Sequence, residues 1–370
     1  MNGQWLGSYT GSTTGELIVN VDERSSFYEG SASLIEHDPK LPNVVVSFRT
    51  NSKDPKFNFR TTWLSIVHPI LGTFHTPDDM KSFYPDFEFS SYVEGAGQWD
   101  ANFLNLSWKA EKGAVGECKL SKSRAHESSR LVSQQMDWAG YKLYSAQFIN
   151  KKHIFRGQEK PWRLRTSYHR KGRSDLFRYT KEDILLLHRH LTARTKHVFN
   201  LEIPDQNGSF YNLIQHHGYP TPLLDWTYSP YVAAFFAYSA LSNKEAGAAT
   251  EDHKVRIHVF DQELWKDTFP QYAKVLLAKL HFSVCEFIAI ENERMIPQQA
   301  ASTITNVDDV EEFIAVYESN ATKFLWAIDL PVRERSHVMR ELSHMGITAG
   351  SLFPGLDGAC KELAERNFDF

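Results

Sequence analysis

The chain reads as an α+β protein in which an all-β first third precedes a larger mixed portion, and three observations carry that reading. Leu104, Leu106 and Trp108 alternate with Asn105, Ser107 and Lys109, the period-two rhythm of a strand with one dry face. After residue 130 helical spacing takes over in places, with Ile184, Leu187, His188 and Leu191 on one face. Between the two lies a polar, charged stretch, Ser121 to Arg130, suited to a linker. The expected units are therefore 1–125, a β-rich small barrel or sandwich, and 126–370, an α+β domain.

In the first unit, glycines at 7, 11 and 15 surround Tyr9 and lead into Leu17-Ile18-Val19-Asn20-Val21. Further strand-like runs cover Phe27 to Leu34, Asn43 to Thr50 and Phe57 to Val67. Glu111-Lys112-Gly113 turns the clearest strand back into one holding Cys118 and Leu120. Many short strands separated by turns favour a closed or two-layered sheet. This unit holds no catalytic constellation, and recognition of a target is the role expected of it.

In the second unit, Met136 to Phe148 reads as a helix, and Lys151 to Gln158 as a strand running into a loop. Thr180 is placed to cap the helix that carries Leu187. Val255 to Phe260, Cys285 to Ile290 and Phe324 to Leu330 read as strands, and about 333–345 and 357–367 as closing helices. The centre is Gln215-His216-His217-Gly218, then Pro220, Pro222, Leu223-Leu224-Asp225-Trp226-Thr227, then Ser229-Pro230 and the run Val232 to Ala237. Gly218 suits the left-handed close of a helix. Ser229 caps the next helix, whose first position is Pro230. The trio Asp225-Trp226-Thr227 is left between two apolar elements, where it either braces the core or faces a ligand.

At 370 residues and a net charge of −4, with cysteine confined to Cys118, Cys285 and Cys360, the chain is long enough for two cores and too cysteine-poor for a disulfide frame. That composition, with no signal-like start and no apolar run of membrane-spanning length, leads to the expectation of a soluble, cytoplasmic protein. Glycine-rich dinucleotide and phosphate loops and a Gly-x-Ser-x-Gly elbow are all missing from the sequence, against dehydrogenases, P-loop enzymes and esterases. His216 and His217 are adjacent and lack a suitably spaced third ligand, so no metal site is expected. Asp308, Asp309, Glu311 and Glu312 suit the solvated start of a helix.

Between Lys151 and Arg173 nine basic residues face the single acid Glu159. A local excess of this kind in an acidic chain attracts anions. Arg156 stands apart because it lies in an apolar strand and is followed by Gly157. A planar guanidinium there can grip a phosphate or carboxylate, and a missing Cβ lets a ligand approach the backbone. The alternative for Arg156 is an internal salt bridge.

Phe155-Arg156-Gly157-Gln158, Trp162, Leu164, Gln215-His216-His217-Gly218, Pro220-Thr221, Leu223 to Thr227 and Ala233 to Ala237 together resemble the FRG domain. Gly346-Ile347 and Leu352 to Gly358 are similar to that family's close. The order of parts also resembles, more faintly, the ADP-ribosyltransferase plan of a strand-borne Arg-Gly, a hydroxyl-bearing strand leading to an Ala/Phe helix, and a later Glu or Gln.

That second resemblance implies an enzyme consuming NAD, with Arg156, Thr227, Gln298 and Asp225 in catalytic roles. Arg156, Gly157, Gln158, His217, Trp226 and Thr227 would bind the dinucleotide. Gln299 and Glu293 stay open as the third element. Cleaving a nicotinamide–ribose bond builds positive charge on the ribose, so the site needs an anchor, a rigid wall and an acceptor that strengthens as charge develops. The expected setting is a bacterial toxin or phage-defence effector that modifies a macromolecule, RNA slightly ahead of protein, with an antitoxin or chaperone as partner. The alternatives are a non-catalytic nucleotide- or nucleic-acid-binding module, and a nuclease or hydrolase using His217 and Asp225.

Overall fold

The computed structural model describes residues 1–148 and 152–369. Lys151, the first residue of the basic run, lies outside them.

The first unit is a closed eight-stranded antiparallel barrel. Its strands are β1 (Gly3–Gly11), β2 (Gly15–Glu23), β3 (Tyr28–Glu36), β4 (Val44–Thr50), β5 (Lys56–Val67), β7 (Val93–Trp99), β8 (Phe103–Ala110) and β9 (Val115–Lys122); the two-residue β6 (Phe74–His75) pairs only with β5. Each strand pairs with its neighbour in sequence, and the ring closes through β1 against β9, with Trp5 opposite Lys122 and Tyr9 opposite Cys118. Closure removes the exposed edges that would invite aggregation. The alternation read from the sequence therefore becomes inside and outside of a barrel. Gly116 on β9 makes room for its cross-strand partner, since a Cβ there would meet the Trp108 ring at 2.3 Å.

The second unit is built on a seven-stranded sheet in the order β10 (Ser133–Gln135), β16 (Leu325–Pro331), β13 (Lys254–Asp261), β11 (His153–Gln158), β12 (Leu223–Thr227), β15 (Ala300–Thr305) and β14 (Phe282–Cys285). Strands β11 and β13 run side by side over six registered pairs, whereas β11 and β12 share one, Phe155 with Thr227. The sheet thus parts at the seam between β11 and β12.

One face is covered by the helices Trp138–Ser145, Pro230–Tyr238 and Arg335–His344, around a core of Phe155, Phe235, Ile257 and Leu342. The other face packs Ile154, Leu224, Trp226, Phe260 and Trp265, and the helix Pro204–His216 stands over a third cluster. Ser229 caps the Pro230 helix by accepting from the Val232 N–H at 3.2 Å, and Gly218 takes φ +83° beyond the Pro204–His216 helix. Both follow the sequence reading. Among the described residues no helix is long and apolar enough to cross a membrane.

Three expectations need correction. Thr180 caps nothing: its hydroxyl donates to the carbonyls of Leu176 and Phe177 inside a continuous helical run. The expected strand Cys285 to Ile290 is displaced, because the fully buried Phe282–Cys285 pairs with β15 and Glu286 begins the departure from the sheet. The acids from 308 to 312 do not form a solvated start: Asp308, Asp309 and Glu311 are buried.

Barrel and sheet domain meet at a polar joint. Asp22 on β2 is fully buried and accepts from the backbone N–H groups of Ser174 at 2.8 Å and Asp175 at 3.2 Å, with Arg173 and Arg178 completing its shell. Gln4 donates to the Asn306 carbonyl at 2.8 Å and accepts from the Asp308 N–H at 3.0 Å. A buried carboxylate with four donors is a specific latch, since leaving any of them unpaired costs about 1–3 kcal/mol.

Candidate functional site

The basic run resolves into two groups. Arg163 reaches Asp309 at 3.2 Å and Glu312 at 3.5 Å, Arg165 grips Asp308 through two nitrogens at 2.5 and 3.1 Å, and Arg173 bridges Asp22 and Asp183. With Lys152 paired to Asp261, half of the charge excess visible in sequence is thus neutralised inside the fold, by acids up to about 150 residues away. Arg156 and Arg170 are different: among the described residues neither makes an ion pair.

Arg156 projects from β11 at the seam. Its Nη1 donates to the Asp225 carbonyl at 2.6 Å, while its Nε is shut from solvent without a hydrogen-bond partner. Burial lowers its pKa to about 10, opposed by the Asp225 carboxylate and helped by Arg170, so it stays charged at neutral pH. Arg170, at the rim, holds the Arg165 carbonyl at 3.2 Å.

Asp225, partly exposed, is fixed by Gln215, whose amide donates to it at 2.5 Å while accepting from Thr221. On the far side of the helix end, His216 meets Asn292 at 2.5 Å and its carbonyl accepts from Arg294 at 2.6 Å. Burial lowers the His216 pKa.

The structure brings together the three segments that the sequence separates. The Thr227 hydroxyl donates to the Gln298 carbonyl at 2.7 Å, and β12 pairs with β15, Thr227 opposite Ala300. Two neighbours escaped sequence reasoning. His258, opposite Arg156 on β13, is buried with its Nε2 3.6 Å from the Glu311 carboxylate, and burial lowers its pKa against the pull of that acid. Its signal was the polar alternation Arg256, His258 within an otherwise apolar strand. Arg170 was visible only as one charge among nine.

Several expected roles are reassigned by their surroundings. Gly157 is not open to a ligand: a Cβ there would lie 1.9 Å from the Ala233 carbonyl, so the missing side chain admits the Pro230 helix. Trp226 faces the core, its indole donating to Thr303 at 3.0 Å and its ring 5.8 Å from that of Phe260, which removes it as a stacking wall. Gln298 is buried and its amide donates to the Leu352 carbonyl at 2.9 Å, so that side chain ties the site to the C-terminal elements. Gln158 is buried, and His217 is exposed at the helix end.

Gln299 and Glu293 are both exposed, and Gln299 takes φ +46°, a left-handed conformation that a non-glycine residue adopts only under constraint. The accessible polar groups at the seam are therefore Arg156, Asp225, Arg170, His217 and, beyond Thr227, Gln299. This set suits anion capture better than nucleophilic attack, because its strongest feature is unpaired positive charge.

No curated protein matches the chain. Residues 151–246, which hold β11, Arg156, the Pro204–His216 helix, β12 and the Pro230 helix, match the FRG domain model.

Proposed function

We propose that the seam between β11 and β12 is a nucleotide site and that the protein is an ADP-ribosyltransferase that consumes NAD. The observation that carries the reading is Arg156: a charged guanidinium on a central strand, bonded to a carbonyl but to no acid, with its Nε–H left without a partner. Retaining an unpaired charge beside a protein core costs stability, and an anionic ligand offsets that cost.

In this reading Arg156, with Arg170 at the rim, holds the anionic part of the dinucleotide. Asp225, oriented by Gln215, supplies negative charge beside the cationic ribose as it develops. Thr227 and Gln298 act as a brace, because each is buried and engaged with backbone, and Gln299 is the third element whose amide is free to reach a ligand. The acceptor is a macromolecule, RNA ahead of protein. A toxin or defence role and a neutralising partner belong to the same proposal.

The test is incubation of purified protein with labelled NAD and with RNA, DNA and protein fractions, following nicotinamide release and label transfer. Arg156→Ala is expected to reduce turnover by about 100- to 1,000-fold, the range for loss of one preorganised donor to a reacting ligand. Gln299→Ala should lower turnover more than Gln298→Ala at equal stability. Intact NAD and no labelled fraction would sink the enzymatic reading. The engagement of Gln298 with Leu352 favours as second reading a module that binds a nucleotide without turning it over; binding of NAD lost in Arg156→Ala, with no nicotinamide released, identifies that case.

A further inference from the structure

The barrel is not solid. One end of its interior is filled by Met1, Trp5, Val21, Tyr28, Leu104 and Leu120, with the Trp5 indole donating to the Met1 carbonyl at 2.7 Å. The other half encloses a cavity of about 290 Å³ walled by apolar side chains, among them Leu17, Ala32, Val46, Phe48 and Trp108. Phe87 and Phe89, their rings 5.0 Å apart, line it from the connection that precedes β7. An eight-stranded barrel is just wide enough either to fill itself with side chains or to hold one small molecule. Here both outcomes occur, one at each end.

A purely structural void would be lined by apolar atoms alone, and this one is not. The Tyr9 ring is buried, 3% exposed, and lines the cavity, and its hydroxyl faces Glu36 and Thr13 without forming a well-aligned hydrogen bond to either. Beside it Oε2 of Glu36 is shut from solvent and equally unpartnered, while Oε1 accepts from Thr13 at 3.0 Å. Buried polar atoms are almost always satisfied, so a phenol and a carboxylate oxygen that face each other at the wall of an apolar chamber without a well-aligned bond leave a place for a shared partner. Glu36, Glu88 and Lys112 are the charged residues that line the cavity. The orphaned carboxylate oxygen calls for a donor and disfavours an anion.

We propose that the barrel binds one small amphipathic molecule whose apolar body fills the chamber and whose neutral or cationic donor head, an alcohol, amine or amide N–H, meets Tyr9 and Glu36. The cavity volume of about 290 Å³ sits at the lower end of small-molecule sites. This site is separate from the seam and does not depend on NAD chemistry. Burial and the neighbouring Glu36 hold the Tyr9 phenol protonated, so its hydroxyl is available both to donate and to accept.

The 370-residue chain is titrated with N-phenyl-1-naphthylamine, an apolar probe bearing an N–H, and the bound probe is displaced with 1-nonanol, nonylamine and nonanoate. The expected result is saturable binding of one probe per chain, displacement by the alcohol and the amine, and displacement by nonanoate at least ~10-fold weaker because of like charge at Glu36. Glu36→Gln should bring nonanoate to within a few-fold of the alcohol. Ala32→Phe, which fills the chamber, should abolish probe binding with the near-ultraviolet circular dichroism retained, and Leu34→Trp applies the same block should the first variant fail to fold. Absence of saturable binding, or binding undiminished in a folded blocking variant, overturns the site. Nonanoate binding as tightly as nonanol in the wild-type protein overturns the assignment of the head group.

Discussion

Arg256 and Arg156 lie on adjacent, hydrogen-bonded strands, and the protein treats their charges in opposite ways. Arg256 on β13 is buried and grips Asp329 of β16 through two bonds at 2.7 and 2.8 Å, with a third to Ser129 at 2.7 Å. Arg156 on β11, one strand along, has a backbone carbonyl and an idle Nε. The half of the sheet formed by β13, β16 and β10 is thus closed electrostatically, and the seam at β11 and β12 is left open. Where structure alone is required, Arg163, Arg165, Arg173 and Arg256 each have an acid. A guanidinium without one, in the same sheet, is the exception that asks for an external partner.

The widest separation between the two regions is expected from truncating each arginine. Arg256→Ala leaves the Asp329 carboxylate buried and uncompensated, and should cost about 3–5 kcal/mol of unfolding free energy, measured by urea titration. Arg156→Ala should cost much less or even stabilise the protein, since it removes a desolvated charge that makes no ion pair, while nucleotide binding is lost. If both variants lose equal stability, the seam is merely another structural region.

Gly157 sharpens the same boundary from the other side of the sheet. Gly157→Ala places a methyl group against the Ala233 carbonyl and the Ala237 nitrogen, at 1.9 and 2.7 Å, and the Pro230 helix must move to admit it. The expected loss is about 1–3 kcal/mol, typical of an overfilled core, with a lowered thermal midpoint. A stability loss accompanied by unchanged nucleotide affinity confirms that glycine here serves helix packing rather than ligand approach.

Legibility in the sequence followed the range of the interactions. The barrel strands could be read because alternation is local: Leu104, Leu106 and Trp108 declare an inside without reference to anything distant. The caps at Ser229 and Gly218 could be read for the same reason. Ring closure could not, because the pairing of β1 with β9 joins residues about 110 apart. The acids at 308–312 looked solvated for want of their arginines, which lie near residue 165. Arg156 stood out in the sequence by its strand context. The roles given to Gly157 and Trp226 failed because a motif records which residues recur, and not whether the neighbour on the far side is a ligand or a helix.

The response to acid distinguishes burial from pairing. His281 is buried, its Nε2 unbonded, and burial lowers its pKa to about 4. Its folded pKa lies below the unfolded value, so its contribution to stability is complete above about pH 6.5 and is lost as pH falls toward 4, when only the unfolded chain takes up the proton. Asp175 and Asp309, raised to about 6 by burial, act oppositely: their ionisation destabilises the fold as pH rises from about 4 to 6. The wild-type profile sums these opposing slopes, and comparison with a variant isolates one of them. His281→Gln should reduce the stability lost between pH 7 and pH 5 by about 1–2 kcal/mol, read from urea midpoints at both values. An unchanged difference would show that His281 titrates normally.

The smallest expected effect bears most directly on how the site is drawn. Trp226 occupies the middle of the polar trio, yet its indole points into the core, bonded to Thr303 and packed on Phe260. Trp226→Phe keeps an aromatic ring there and deletes one buried hydrogen bond, for a loss of about 1 kcal/mol. Because the strand alternates, Asp225 and Thr227 point away from that core, and their positions depend on the β12–β15 register, which the substitution leaves intact. Nucleotide affinity and any turnover should therefore stay within about twofold of wild type, the range expected for a site not in contact with the altered ring. A drop of more than about tenfold, at a stability loss no larger than stated, would place the indole against the ligand.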